Sequence, residues 1–102
     1  MEITGKKEAD VLTVGLEGRL DTMTAPSLET YLSENLKEVK SIIFDCSSLA
    51  YISSAGLRVL LSTQKKMNGV SGTMKLIHVN ELIMDILDAV GFLDIFVVEN
   101  PS

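Results

Sequence analysis

The first forty residues change from an alternating apolar pattern to a helical one. Leu12, Val14 and Leu16 alternate with more polar positions, which predicts a strand. A stretch near Ile3 can pair with this strand as an N-terminal edge strand, with a turn at residues 8–10. Apolar residues at helical spacing then predict an amphipathic helix, whose apolar face consists of Leu28, Tyr31, Leu32, Leu36 and Val39.

Residues at helix boundaries support this helix and predict two more. Thr22 and Thr24 are the N-cap candidates of the first helix. A second helical pattern covers residues 54–69 and ends on an asparagine and a glycine. Asn80 can cap a third helix, which Gly91 can stop.

Short apolar runs between the helices predict further strands. The run Ser41–Asp45 has three consecutive apolar residues, which favours a central parallel strand covered on both faces. Residues 73–79 and 95–98 predict two more strands. Because strands that alternate with helices favour right-handed crossovers, we predict one α/β domain over residues 1–102 with a mostly parallel sheet. The predicted order is ββαβαβαβ, with an N-terminal edge strand and helices after strands 2, 3 and 4.

Composition narrows the possible partners. The net charge is −5, and lysine and arginine form no cluster larger than an adjacent pair, so we expect no nucleic-acid partner. The apolar runs are far shorter than a membrane helix, so we expect a cytoplasmic protein without a membrane partner. The single cysteine, Cys46, excludes an intrachain disulfide, and we expect it to be a small buried apolar residue.

Three polar clusters follow the predicted strands. They are Asp21 with Thr22, Asp45 with Ser47 and Ser48, and Ser53 with Ser54. Sites on open parallel sheets lie beyond the carboxyl ends of the strands, so these clusters are the candidates for a functional site, although loop and cap chemistry also explains them. The chain has no Cys/His set for zinc and too few carboxylates here for magnesium, so we predict no metal and no cofactor.

Ser54 lacks the sequence context of a hydrolytic nucleophile. Ile52 occupies the position of the first glycine in a Gly-x-Ser-x-Gly elbow, and the only histidine, His78, ends a different strand. We therefore do not predict an enzyme. A serine at a helix start can instead carry a phosphate, whose charge of about −1.5 to −2 would oppose a closely packed partner.

Two segments, "LEGRLDTMTAPSLE" and "IIFDCSSLAYISSAGLRVLL", together with the element order, resemble the STAS-domain anti-sigma-factor antagonists of bacteria. The resemblance implies a protein that captures an anti-sigma factor with serine kinase activity and releases a sigma factor. Phosphorylation by this kinase ends the capture, and a PP2C-type phosphatase restores it. The resemblance places the phosphoacceptor at Ser54, with Ser53 as second choice, and implies a partner surface of Asp21, Thr22, Asp45, Ser53, Ser54, Gly56 and Arg58.

Two other functions fit the same residues. A constitutive protein-interaction module would use the two serines only as caps. A nucleotide-binding domain would use Asp21, Asp45 and the start of the second helix. We expect a monomer when the protein is free, because no amphipathic element is left over once three helices cover one sheet.

Overall fold

A computed structural model describes residues 1–100 of the protein. Its elements follow the predicted order, with a short 3₁₀ turn at Phe92–Asp94: β1 (Glu2–Glu8), β2 (Val11–Leu20), α1 (Ala25–Asn35), β3 (Ser41–Ile52), α2 (Ser54–Gly69), β4 (Thr73–Ile77), α3 (Glu81–Ala89) and β5 (Val97–Glu99). The α/β fold predicted from the sequence is therefore confirmed. The last two residues of the predicted domain, Pro101 and Ser102, lie outside the described residues.

The strands form one sheet in the order β1-β2-β3-β4-β5. β1 pairs with β2 in antiparallel fashion, and each of the other neighbouring pairs is parallel. Each parallel strand is thus added on the same side of the strand before it. Since strand–helix–strand connections are nearly always right-handed, this order places all three helices on one face of the sheet.

Burial along the strands agrees with this two-layer arrangement. Alternate strand residues are buried and join the helices in one core, which includes Leu12, Val14, Leu16, Ile42, Phe44, Cys46, Met74 and Leu76. On the opposite face, Thr13, Ile43 and Lys75 are only half-buried. The prediction that β3 is covered on both faces is therefore wrong, because a sheet whose strand order never reverses leaves one face open.

Several element boundaries also differ from the prediction. β3 continues to Ile52, because two irregularities in its pairing with β2 absorb the polar residues that suggested a loop. α1 ends at Asn35, and Val39 joins the core from the following loop. β4 ends at Ile77, and β5 begins only at Val97.

The starts and ends of the helices show which predicted caps form. Asn80 accepts a hydrogen bond from the backbone N–H of Ile83 at 2.9 Å, which confirms the predicted cap of α3. Gly91 has φ +78°, the left-handed conformation that ends the helix. Thr24 occupies the N-cap position of α1, but its side chain makes no hydrogen bond to the first turn. Within residues 1–100, no helix has both the length and the apolar character needed to cross a membrane.

Candidate functional site

The carboxyl ends of β2 and β3 meet at one edge of the sheet. Leu20 and Ile52, their last residues, are paired and buried. The N–H of Ser53 donates to the carbonyl of Leu20 at 2.9 Å, which attaches the start of α2 to the end of β2. The loop after β2 and the first turn of α2 are therefore adjacent, as the sequence predicted for Asp21 and Ser54.

A compact network holds the loop between β2 and α1. The side-chain oxygen Oδ1 of Asp21 accepts from the N–H groups of Met23 at 3.0 Å and Thr24 at 3.2 Å. In return, the Thr24 hydroxyl accepts from the N–H of Asp21 and donates to the carbonyl of Arg19, both at 2.8 Å. Thr24 thus serves the loop and not the helix, which explains why the predicted cap is missing.

Asp21 is stabilised as a carboxylate by this network. Partial removal from water is the largest influence and acts to raise its pKa. The N–H groups of Thr24 and Met23, the Thr24 hydroxyl and the charge of Arg19 together outweigh it, so the pKa of Asp21 lies below its ordinary value. The Arg19 guanidinium lies 3.7 Å from this carboxylate and 4.4 Å from the centre of the Tyr51 ring. Asp21 therefore organises the loop, with its side chain 28% exposed.

The two serines at the start of α2 differ in accessibility. Ser53 occupies the N-cap position, but its Oγ is buried and has no hydrogen-bond partner within residues 1–100. Ser54, the first residue of α2, is exposed. Only the second hydroxyl is thus open to another protein.

The site has an exposed outer surface that sequence reasoning described incompletely. Thr22 and Arg58 line one cleft near the starts of α1 and α2, together with Glu29 and Ala55. Met23, at the tip of the loop, is 85% exposed and was not predicted. We call the set Thr22, Met23, Ser54 and Arg58 the strand-end surface. The sequence marks Met23 only as an apolar residue between two threonines of a loop, and this signal is weak.

Besides Ser53, whose hydroxyl is buried, two other residues predicted for the partner surface do not belong to it. Gly56 is buried, and a Cβ atom there would lie 2.6 Å from Cγ and 2.9 Å from the carbonyl oxygen of Leu20. The lack of a side chain at Gly56 lets α2 approach β2 closely. Its assignment to the partner surface is therefore corrected. Asp45 is on the open face in the middle of β3, where it accepts from the N–H of Ser47 at 3.0 Å, and not on a loop.

The position of Asp45 also separates it from Asp21. Asp45 pairs with Gly15 of β2, six residues before Asp21. At about 3.3 Å per strand residue, the backbones of the two residues are roughly 20 Å apart along the strand direction. This distance gives no support to the hypothesis that both hold one nucleotide.

Comparison with known proteins identifies the family to which the sequence is similar. The chain matches the STAS domain family over residues 2–101. BtrV of Bordetella bronchiseptica, a candidate anti-sigma factor antagonist, is 34% identical over 101 residues, which are 98% of this chain and 87% of that protein.

Solved structures agree in fold. A candidate anti-sigma factor antagonist from Thermotoga maritima has a TM-score of 0.89 at 19% identity, with 98% of this chain and 86% of that chain covered. The phosphorylated form of SpoIIAA, a Bacillus cell fate determinant, has a TM-score of 0.79 at 15% identity, with coverage of 99% and 92%. With the family match over nearly its whole length, the chain belongs to the STAS domain family.

Proposed function

We propose that this protein is an anti-sigma factor antagonist that binds its anti-sigma factor through the strand-end surface until Ser54 is phosphorylated. Membership in the STAS family and the name given to BtrV support the antagonist function. In this chain, the observation that carries the proposal is the contrast between the exposed Ser54 and the buried Oγ of Ser53. The protein acts by binding, as a cytoplasmic monomer when free, and not as an enzyme.

The partner in this proposal is an anti-sigma factor with serine kinase activity. The Ser54 hydroxyl attacks the γ-phosphorus of ATP held by the kinase, the bond to ADP breaks, and a base of the kinase accepts the hydroxyl proton. The free N–H groups and the positive dipole end at the start of α2 stabilise the new phosphate within its own fold. A partner that packs against the neutral hydroxyl meets a charge of about −1.5 to −2 instead. Hydrolysis by a PP2C-type phosphatase restores the hydroxyl.

Mass spectrometry tests the position of the modification. The chain and its Ser53→Ala and Ser54→Ala variants are incubated with the cognate anti-sigma kinase and ATP, then examined by intact mass and peptide mapping. We expect one phosphate on the parent chain and on Ser53→Ala, and none on Ser54→Ala. A phosphate that persists in Ser54→Ala, or an unmodified parent chain that nevertheless binds the kinase, would contradict the proposal.

The constitutive interaction module is the second candidate function. Two departures from the family pattern favour it, since many of these antagonists have an aspartate before the acceptor and a second serine after it, where this chain has Ser53 and Ala55. Titration calorimetry of Ser54→Asp with the anti-sigma factor separates the two candidates. A constitutive module keeps its affinity within about threefold, whereas a phosphorylation switch loses about tenfold or more, equivalent to about 1.4 kcal/mol.

A further inference from the structure

Arg58 lies one helical turn after Ser54 on α2. Residues four apart on a helix are neighbours on the same face, and an anion that precedes a cation at this spacing is the more favourable orientation. Both residues are exposed, while Leu57 and Val59, on either side of Arg58, are buried. The helix thus directs the Arg58 and Ser54 side chains to one part of the strand-end surface.

The Arg58 guanidinium has no fixed partner in the part of the chain that the structure describes. The ion pairs among residues 1–100 are Lys6–Glu8, Arg19–Asp21 and Lys75–Glu99. Glu29 of α1 lines the same cleft as Arg58 but does not come within 4.0 Å of its nitrogens. The Asp21 carboxylate already pairs with Arg19 and accepts hydrogen bonds from its own loop. Arg58 is therefore a cation available for a new anion.

We propose that Arg58 is the intramolecular partner of the phosphate on Ser54. Guanidinium and phosphate form short, charge-assisted hydrogen bonds, often two in parallel. In the modified protein this pairing also withdraws the positive charge of Arg58 from the strand-end surface, so one phosphate changes two contacts of the partner. The inference rests on the proposed phosphorylation of Ser54.

The pairing can be measured without a kinase. Phosphoserine is inserted at position 54 during synthesis by an expanded genetic code, and its second pKa, ordinarily near 6, is followed by phosphorus NMR. A paired guanidinium favours the dianion, so we expect the phosphate pKa to rise by about 0.2 to 0.4 unit in Arg58→Gln. Arg58→Lys should recover part of the shift, because the charge stays while the planar fork is lost.

Lys65→Gln is the matched control, since it removes an equal charge from an exposed position of the same helix. Lys65 is eleven residues beyond Ser54, about 16 Å along the axis at 1.5 Å per residue, and cannot reach the phosphate. Equal phosphate pKa values in Arg58→Gln and Lys65→Gln would overturn the inference. This result would leave the kinase assay on Ser54 unaffected, so the two proposals fail separately.

Discussion

At the start of α2, two neighbouring residues of the same type differ in their exposure. Ser53 and Ser54 have the same side chain, yet one hydroxyl is enclosed and the other is exposed. A buried hydroxyl without a partner costs roughly 1–3 kcal/mol, which the packing around Ser53 must offset. The sequence predicted the helix start correctly but could not rank the two serines by exposure, because exposure depends on how closely α2 approaches β2.

Asp21 provides a prediction for the dependence of stability on pH. Its pKa is lowered in the folded protein, so it adds to the free energy of unfolding above the ordinary value of 3.8. The contribution disappears as the pH falls through the lowered pKa. We therefore expect Asp21→Asn to be less stable than the parent chain at pH 7, and the difference to shrink below pH 3.8.

Urea unfolding at a series of pH values measures this difference. Asp85→Asn, which removes an equal charge from an exposed position of α3, gives the baseline. A destabilisation by Asp21→Asn that stays constant down to the most acidic pH would show that charge is not its cause.

At the scale of elements, the contact of α2 with the ends of β2 and β3 positions the whole site. The alternation in β2 and the cap of α3 could be predicted because each depends on local spacing alone. The length of β3 could not, since Ser47 and Ser48 look like loop residues and are accommodated only by irregular pairing with β2. The need for glycine at position 56 also depends on a neighbour distant in sequence, Leu20.

Two glycines of α2 test this contact. In Gly56→Ala the new Cβ would crowd Leu20 and Ile52, so we expect the free energy of unfolding to fall by about 1–3 kcal/mol despite the better helix propensity of alanine. In Gly69→Ala the Cβ meets nothing within 4 Å, so we expect no loss and a gain of up to about 1 kcal/mol. Chemical denaturation of both variants provides the comparison. Similar stabilities would mean that α2 does not approach β2 as closely as described.

The whole molecule is a two-layer domain with one buried core and one open sheet face. The α/β class and the element order could be predicted because the spacing of apolar residues switches between strand and helix patterns along the chain. The sequence could not show that helices cover only one face of the sheet, because this depends on the spatial order of the strands. Cys46 lies in the middle of β3 on the covered face and is fully buried. Burial, followed by the charge of Asp45, raises the pKa of its thiol to about 12.

Cys46 therefore reports on unfolding of the entire domain. At pH 8, with a pKa of about 12, roughly one thiol in ten thousand is ionised in the native state. We expect labelling by excess 5,5′-dithiobis(2-nitrobenzoate) to proceed only through opening of the core, and its rate to increase with urea as the unfolded population grows. Labelling at a rate independent of urea below the unfolding transition would contradict this expectation.

The close packing of α2 against β2 also bears on how fast the proposed switch can respond. Because the backbone at Gly56 already lies against Leu20, the first turn of α2 has no room to move closer to β2 when the charge on Ser54 changes. Hinge and domain motions take microseconds to milliseconds, so a switch that requires a conformational change can respond no faster than that change. If Ser54 is phosphorylated as proposed, the same backbone presents either a hydroxyl or a phosphate. The speed of the proposed response is then set by the rates at which kinase and phosphatase act on Ser54 and by the lifetime of the complex with the anti-sigma factor.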